Sequence, residues 1–143
     1  MAKFSCDTSV MVAAFSSWHP DHRRALEALE NLMAQQWEFC VVNHTVFETY
    51  SVLTRLPAPH RISPADAWTL VSKNLLSRKL IQLRTQGTAS FVHSLALRQI
   101  GGGRTYDALI AATAKDGGAC VLLTLNPSHF RDFADDTFAI RAP

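Results

Sequence analysis

Short apolar runs alternate with helix-patterned stretches along almost the whole chain, and that alternation limits what it can fold into. Lys3 to Cys6, Phe39 to Val42, Leu80 to Leu83, Cys120 to Leu125 and a last stretch near Phe138 to Ile140 read as strands. Between them the pattern predicts helices at Ser9 to Ser16, Pro20 to Gln36, Thr45 to Leu56, Pro64 to Leu76, Thr88 to Gln99 and Tyr106 to Lys115. In the second of these, Leu26, Leu29, Leu32 and Met33 share one face, as an amphipathic helix requires. Pro57 and Pro59 mark a hinge, Gly101 to Gly103 a helix stop, and Pro127 a short turn. Strands alternating with helices form a mainly parallel sheet covered by helices on both faces. The chain has 143 residues. That suits one domain, residues 1–143, which buries roughly 68–70% of its unfolded surface and needs no staples.

Composition excludes several classes. With 48% hydrophobic and 18% charged residues, the chain is neither disordered nor fibrous. Its net charge of +2 is mild, and among fourteen Lys and Arg residues only Arg23/Arg24 and Arg78/Lys79 are adjacent. Charge alone therefore does not point to nucleic acid. Cys6, Cys40 and Cys120 lie in apolar runs without CxxC spacing, as buried reduced thiols do. No leader or stretch approaching the ~18 apolar residues of a membrane span is visible, so a cytoplasmic protein is expected.

Four polar residues stand where strands hand over to helices: Asp7, Glu48, Asp107 and Asn126. In an open α/β sheet the ligand crevice lies beyond the carboxyl ends of the strands, so acids placed there converge. Two carboxylates about 4 Å apart repel by roughly 4 kcal/mol at an effective dielectric near 20. Such a cluster is comfortable around a cation. Local roles compete with this one. Asp7 and Asn126 suit helix N-caps, Asn126 with Pro127 following at the first helical position. Thr45 and Glu48 fit a capping box, and Asp107 would favour the positive end of a helix capped by Thr105. Capping does not require the four to meet. The apolar neighbours of Asp7, Glu48 and Asp107 tip the balance, because an unpaired charge among them is costly.

CDTSVMVAAF, the helix carrying Glu48, GGGRTYDALIAATA and LLTLNPSHF together resemble PIN-domain ribonucleases of the VapC toxin type, with YDALIAATA and LLTLNPSHF the more specific part. The resemblance runs through almost the whole chain. It implies a three-layer α/β/α fold, dependence on Mg²⁺ or Mn²⁺, and endonucleolytic cleavage of structured RNA such as transfer or ribosomal RNA. It further implies a cognate antitoxin and a toxin homodimer. By position Asp7, Glu48 and Asp107 match the family's first three acidic ligands, whereas Asn126 replaces a frequent fourth acid. Thr124 matches a hydroxyl position before that fourth ligand and is expected to hydrogen-bond a ligand carboxylate or to serve as a plain strand residue. Carboxylates suit a hard divalent ion, which can activate water and neutralise charge on a phosphodiester. Asp7 and Asp107 are expected to coordinate directly, with Glu48 coordinating or orienting the attacking water.

His19, His22 and His129 could suggest zinc, but His19 and His22 fall at a helix start beside solvated arginines. Arg104, and more weakly Arg23 and Arg24, could meet a phosphate. Gly101 to Gly103 lacks the GxxxxGK[ST] pattern of a phosphate loop. Trp68, Val71 and Leu75 form an apolar stripe suited to the domain's own core or to an antitoxin helix. Two further classes compete with a nuclease. One is a catalytically weak PIN-like module that binds RNA or protein, suggested by Asn126. The other is a phosphoacceptor receiver domain, which would need an acidic neighbour for Asp7.

Overall fold

The computed structural model describes every residue from Met1 to Pro143. Five strands, β1 (Lys3–Cys6), β2 (Glu38–Val42), β3 (Lys79–Ile81), β4 (Val121–Leu123) and β5 (Ala139–Arg141), form one sheet in the order β3-β2-β1-β4-β5. Every neighbouring pair is parallel. Seven α-helices accompany them: α1 (Thr8–Phe15), α2 (His22–Ala34), α3 (Asn43–Arg55), α4 (Pro64–Asn74), α5 (Thr88–Leu97), α6 (Arg104–Asp116) and α7 (Pro127–Phe130). The α/β/α fold with a central parallel sheet is the one expected. None of its helices is long and apolar enough to cross a membrane.

Side-chain alternation along the strands divides the core into two layers. Phe4 and Cys6 of β1, Phe39 and Val41 of β2, and Val121 and Leu123 of β4 face a cluster built on α1, α2 and α4. The intervening residues Val42 and Leu122 face α6 and α7, where Ile110, Ala111, Ala114 and Phe130 pack. A period of two thus sends successive apolar residues to opposite faces, which is why these strands read as continuous apolar runs. Phe4 and Phe39 stack in the first layer with ring centroids 4.9 Å apart.

The order of the strands places the crevice. From β1 the chain steps outward through β2 to β3, then returns past β1 to lay down β4 and β5. β1 and β4 are therefore neighbours whose following segments leave in different directions, and their carboxyl ends define the switch point at which ligands bind in such sheets. The register pairs Cys6 with Leu123, and the Asp7 amide donates to the Leu123 carbonyl at 3.0 Å.

Several expected boundaries move, two with consequences. α3 begins at Asn43 rather than Thr45, so Glu48 lies past the first turn and no capping box forms. α6 begins at Arg104, which takes Thr105 inside the helix and leaves it no capping role. Trp68 does not share the buried stripe of α4. Ala67, Val71 and Leu75 do, at i, i+4 and i+8, while Trp68 is 59% exposed. Four residues advance a helix by about 400°, close to a full turn, and this spacing keeps a face aimed at the core.

Candidate active site at the carboxyl edge of the sheet

Asp7 directly follows β1 and caps α1. Its Oδ1 accepts the Val10 amide at 3.2 Å and the Ser9 hydroxyl at 2.6 Å, while Oδ2 accepts the Thr124 hydroxyl at 2.6 Å. The hydroxyls are themselves fixed, since the Leu125 amide donates to Ser9 Oγ and the Asn126 amide to Thr124 Oγ1, each at 3.0 Å. The helix-capping role expected of Asp7 is thus real, and it coexists with a position at the crevice. Only 5% of Asp7 is exposed. Burial pushes its carboxyl up from the ordinary aspartate range, the Ser9, Thr124 and Val10 donors pull it back, and the charge of Asp107 adds to the rise.

Glu48 reaches the same edge from α3. Oε1 accepts the Thr8 hydroxyl at 2.6 Å and Oε2 pairs with His44 Nε2 at 2.9 Å. His44 lies one turn before Glu48, and its ring stacks on Tyr106 at 4.9 Å with the planes 2° apart. This stack ties the start of α3 to the start of α6. Asp107, in the first turn of α6, is half-buried with Oδ2 3.9 Å from His129 Nδ1. Burial raises its carboxyl above the usual value; His129 lowers it, the Glu48 charge raises it, and Arg104 lowers it. Arg104 is drawn 3.5 Å from Asp132.

The structure therefore brings Asp7, Thr124, Glu48 and Asp107 to one edge, with Asp107 in electrostatic reach of both Asp7 and Glu48. Asn126 sits in the same turn, but its side chain is exposed and makes no capping bond to α7. No three His, Cys, Asp or Glu side chains are gathered closely enough to enclose an ion as they stand. Glu48 is turned to Thr8 and His44, and Asp107 toward His129. The donor set nevertheless fits a hard cation. It is all carboxylate oxygen, and both aspartates hold protons more tightly than usual partly because neighbouring acids repel them, a cost a divalent ion relieves. Mg²⁺ keeps several waters and needs only one or two carboxylates, so Asp7 and Asp107 would be the residues to hold it.

The histidines near the start of α2 are engaged away from any metal, His22 Nδ1 bonding to the Ala13 carbonyl and His19 Nδ1 accepting from the Asp21 amide. Thr8, Ser9, His44 and Tyr106 join the site beyond the residues that the sequence picks out. For His44 the sequence carries a signal, the i,i+4 spacing to Glu48 on one helix face, which a helix starting at Thr45 leaves out.

The family model for the PIN domain matches residues 5–136. This chain belongs to the PIN-domain family. That membership sets aside the receiver-domain reading. Among relatives, ribonuclease VapC40 of Mycobacterium tuberculosis is 40% identical over 116 residues, 81% of each chain. Ribonuclease VapC27 of the same organism is 36% identical over 110 residues, covering 77% of this chain and 75% of the relative. The fold matches VapBC2 of Rickettsia felis, solved bound to a promoter DNA fragment, with a TM-score of 0.69 at 18% identity over 98% of both chains. It also matches the Mycobacterium tuberculosis toxin VapC20, described as cleaving the sarcin-ricin loop, with a TM-score of 0.63 at 17% identity over 83% of this chain and 86% of that one.

Proposed function

We propose that this PIN-domain protein is a VapC-type toxin, an endoribonuclease that hydrolyses phosphodiester bonds in structured RNA with the help of Mg²⁺ or Mn²⁺. One observation carries the reading: at the carboxyl edge of the sheet, in a chain 40% identical to a VapC ribonuclease, Asp107 of α6 lies within electrostatic reach of Asp7 after β1 and of Glu48 on α3. Asp7 and Asp107 would hold the ion, whose part is to supply positive charge to the phosphate oxygens and to favour ionised water.

The chain's own residues do the rest. Ser9 and Thr124 fix both oxygens of Asp7, so its carboxylate cannot swing away when charge builds up beside it. Glu48, gripped by Thr8 and His44, orients a water and takes up its proton at a carboxylate oxygen. Arg104, at the mouth, exchanges its contact with Asp132 for an RNA phosphate. A fourth acid is not needed for these roles, so Asn126 reduces the site's charge without dismantling it.

The VapBC structures that share this fold support a cognate antitoxin as partner, and the family resemblance alone suggests a homodimer as the working toxin. The test is cleavage of total cellular RNA by antitoxin-free protein in Mg²⁺, Mn²⁺ or EDTA. Discrete fragments that vanish with EDTA support the proposal. Absence of cutting by folded protein in either metal favours a module that binds RNA or protein without cleaving it.

A further inference from the structure

Glu48 is held at the acidic edge by the sequence neighbours of the other two acids. Its Oε1 accepts from the hydroxyl of Thr8, the residue after Asp7, at 2.6 Å. Its Oε2 is held at 2.9 Å by His44, whose ring lies flat against Tyr106, the residue before Asp107. Left free, so long a carboxylate side chain would turn outward to water, because the Asp107 charge repels it and fixing it costs rotamer freedom. The two hydrogen bonds keep it facing the crevice.

The bond to His44 depends in turn on Tyr106. His44 stands at the start of α3, and its ring can turn about the torsions of its own side chain. The Tyr106 ring, 4.9 Å away between centroids and 2° from parallel, holds the imidazole in one plane, in the offset stack that aromatic rings prefer. Tyr106 itself is half-exposed and belongs to none of the three buried clusters. A large aromatic placed outside the core, beside one acid and flat on the histidine that holds another, serves the site. Because Tyr106 and Asp107 are consecutive on α6, the helix that presents one carboxylate also fixes the other.

From this arrangement we infer that Tyr106 is a positioning residue: stacked on His44, it sets the place of the Glu48 carboxylate relative to Asp107, and with it the direction from which water meets the scissile phosphate. The inference rests on the ribonuclease reading and adds to it the device that registers the acids with one another. Tyr106 acts through His44 and not on the reacting atoms. A displaced carboxylate slows the reaction without loosening the hold on RNA, since a misplacement of about 1 Å can cost about 100-fold in rate. The stack uses the ring of Tyr106 and not its hydroxyl.

The test uses a synthetic RNA oligonucleotide spanning one cut that the wild type makes in total RNA, in Mg²⁺ or Mn²⁺. Tyr106→Leu removes the ring and should lower kcat about tenfold with KM unchanged. His44→Leu should do the same, whereas Tyr106→Phe keeps the ring and should hold kcat near the wild-type value. In a Glu48→Gln background, Tyr106→Leu should have no further effect on kcat, because the carboxylate it places is already gone. Thermal melting confirms that each variant is folded. NMR of the His44 ring protons reads the stack without cleavage: their upfield shift in the wild type and Tyr106→Phe should be lost in Tyr106→Leu. A lowered melting midpoint with unchanged kcat would make Tyr106 merely structural and overturn the inference. So would a raised KM at constant kcat, which would make Tyr106 an RNA-stacking residue, or an equal fall in kcat with and without Glu48. A wild type that cuts no RNA in either metal brings down the ribonuclease reading and this inference with it. A cutting wild type equalled by Tyr106→Leu brings down the inference alone.

Discussion

Asp7 is buried beside another acid, and the cost of keeping it ionised is open to measurement. Its folded-state carboxyl holds a proton to higher pH than the unfolded chain does, chiefly through burial. Between those two values the folded state binds more protons, so stability falls as pH rises through the interval and levels off above it. Asp7→Asn removes that limb. In metal-free buffer near neutral pH the variant should melt above the wild type, and the gap should close as pH drops to the ordinary aspartate range. A gap that widens toward acid would reverse the sign and contradict the account. Thr124 tests the opposite side of the same contact. Thr124→Val strips a hydroxyl from Asp7 Oδ2 and an acceptor from the Asn126 amide. The loss should be about 1–3 kcal/mol in denaturant unfolding at neutral pH. It should be smaller in the Asp7→Asn background, since contacting residues couple.

Helices α3, α4 and α6 show what the sequence discloses about an element and what it conceals. Asp7 could be placed at a strand end because an apolar run stops abruptly at an acid. Asp107 could be placed near a helix start because Gly101 to Gly103 breaks the chain just before it. The start of α3 was hidden, because Asn43, His44 and Thr45 are all compatible with a cap and the backbone chose the earliest start. That two-residue difference brings His44 into the helix and onto Glu48. The hydroxyls of Thr8 and Ser9 were equally hidden, because serine and threonine are common at helix starts for capping alone. Asp135 and Lys115, paired outside the site, show that acids and bases elsewhere form ordinary surface contacts. On α4, Ser63 accepts the Asp66 amide at 3.1 Å with Pro64 at the first helical position, a regular N-cap. Ser63→Ala should cost about 1 kcal/mol, read as a lowered thermal midpoint, and leave RNA cleavage unchanged because α4 contributes nothing to the acidic edge.

For the whole molecule, the alternation of strands and helices gives the layer order, and the layer order gives the site. A sheet laid down from its middle strand outward, then continued on the other side, must leave a crevice where the path reverses. Asp7 and Thr124 are adjacent there because β1 and β4 pair in register, although 117 positions separate them. An ion bound at this edge favours the folded state by mass action, so Mn²⁺ at about 100 times its dissociation constant should add about 2.7 kcal/mol to wild-type stability. Asp7→Asn should gain much less, as seen in melting curves with and without the ion. The most direct test sets wild type, Asp7→Asn and Asp107→Asn side by side on total RNA in Mn²⁺, with cut ends mapped. The account predicts discrete cuts from the wild type, and loss of the same cuts in both variants while each remains folded. Identical cutting by all three would show that the acids at the switch point do not carry the reaction.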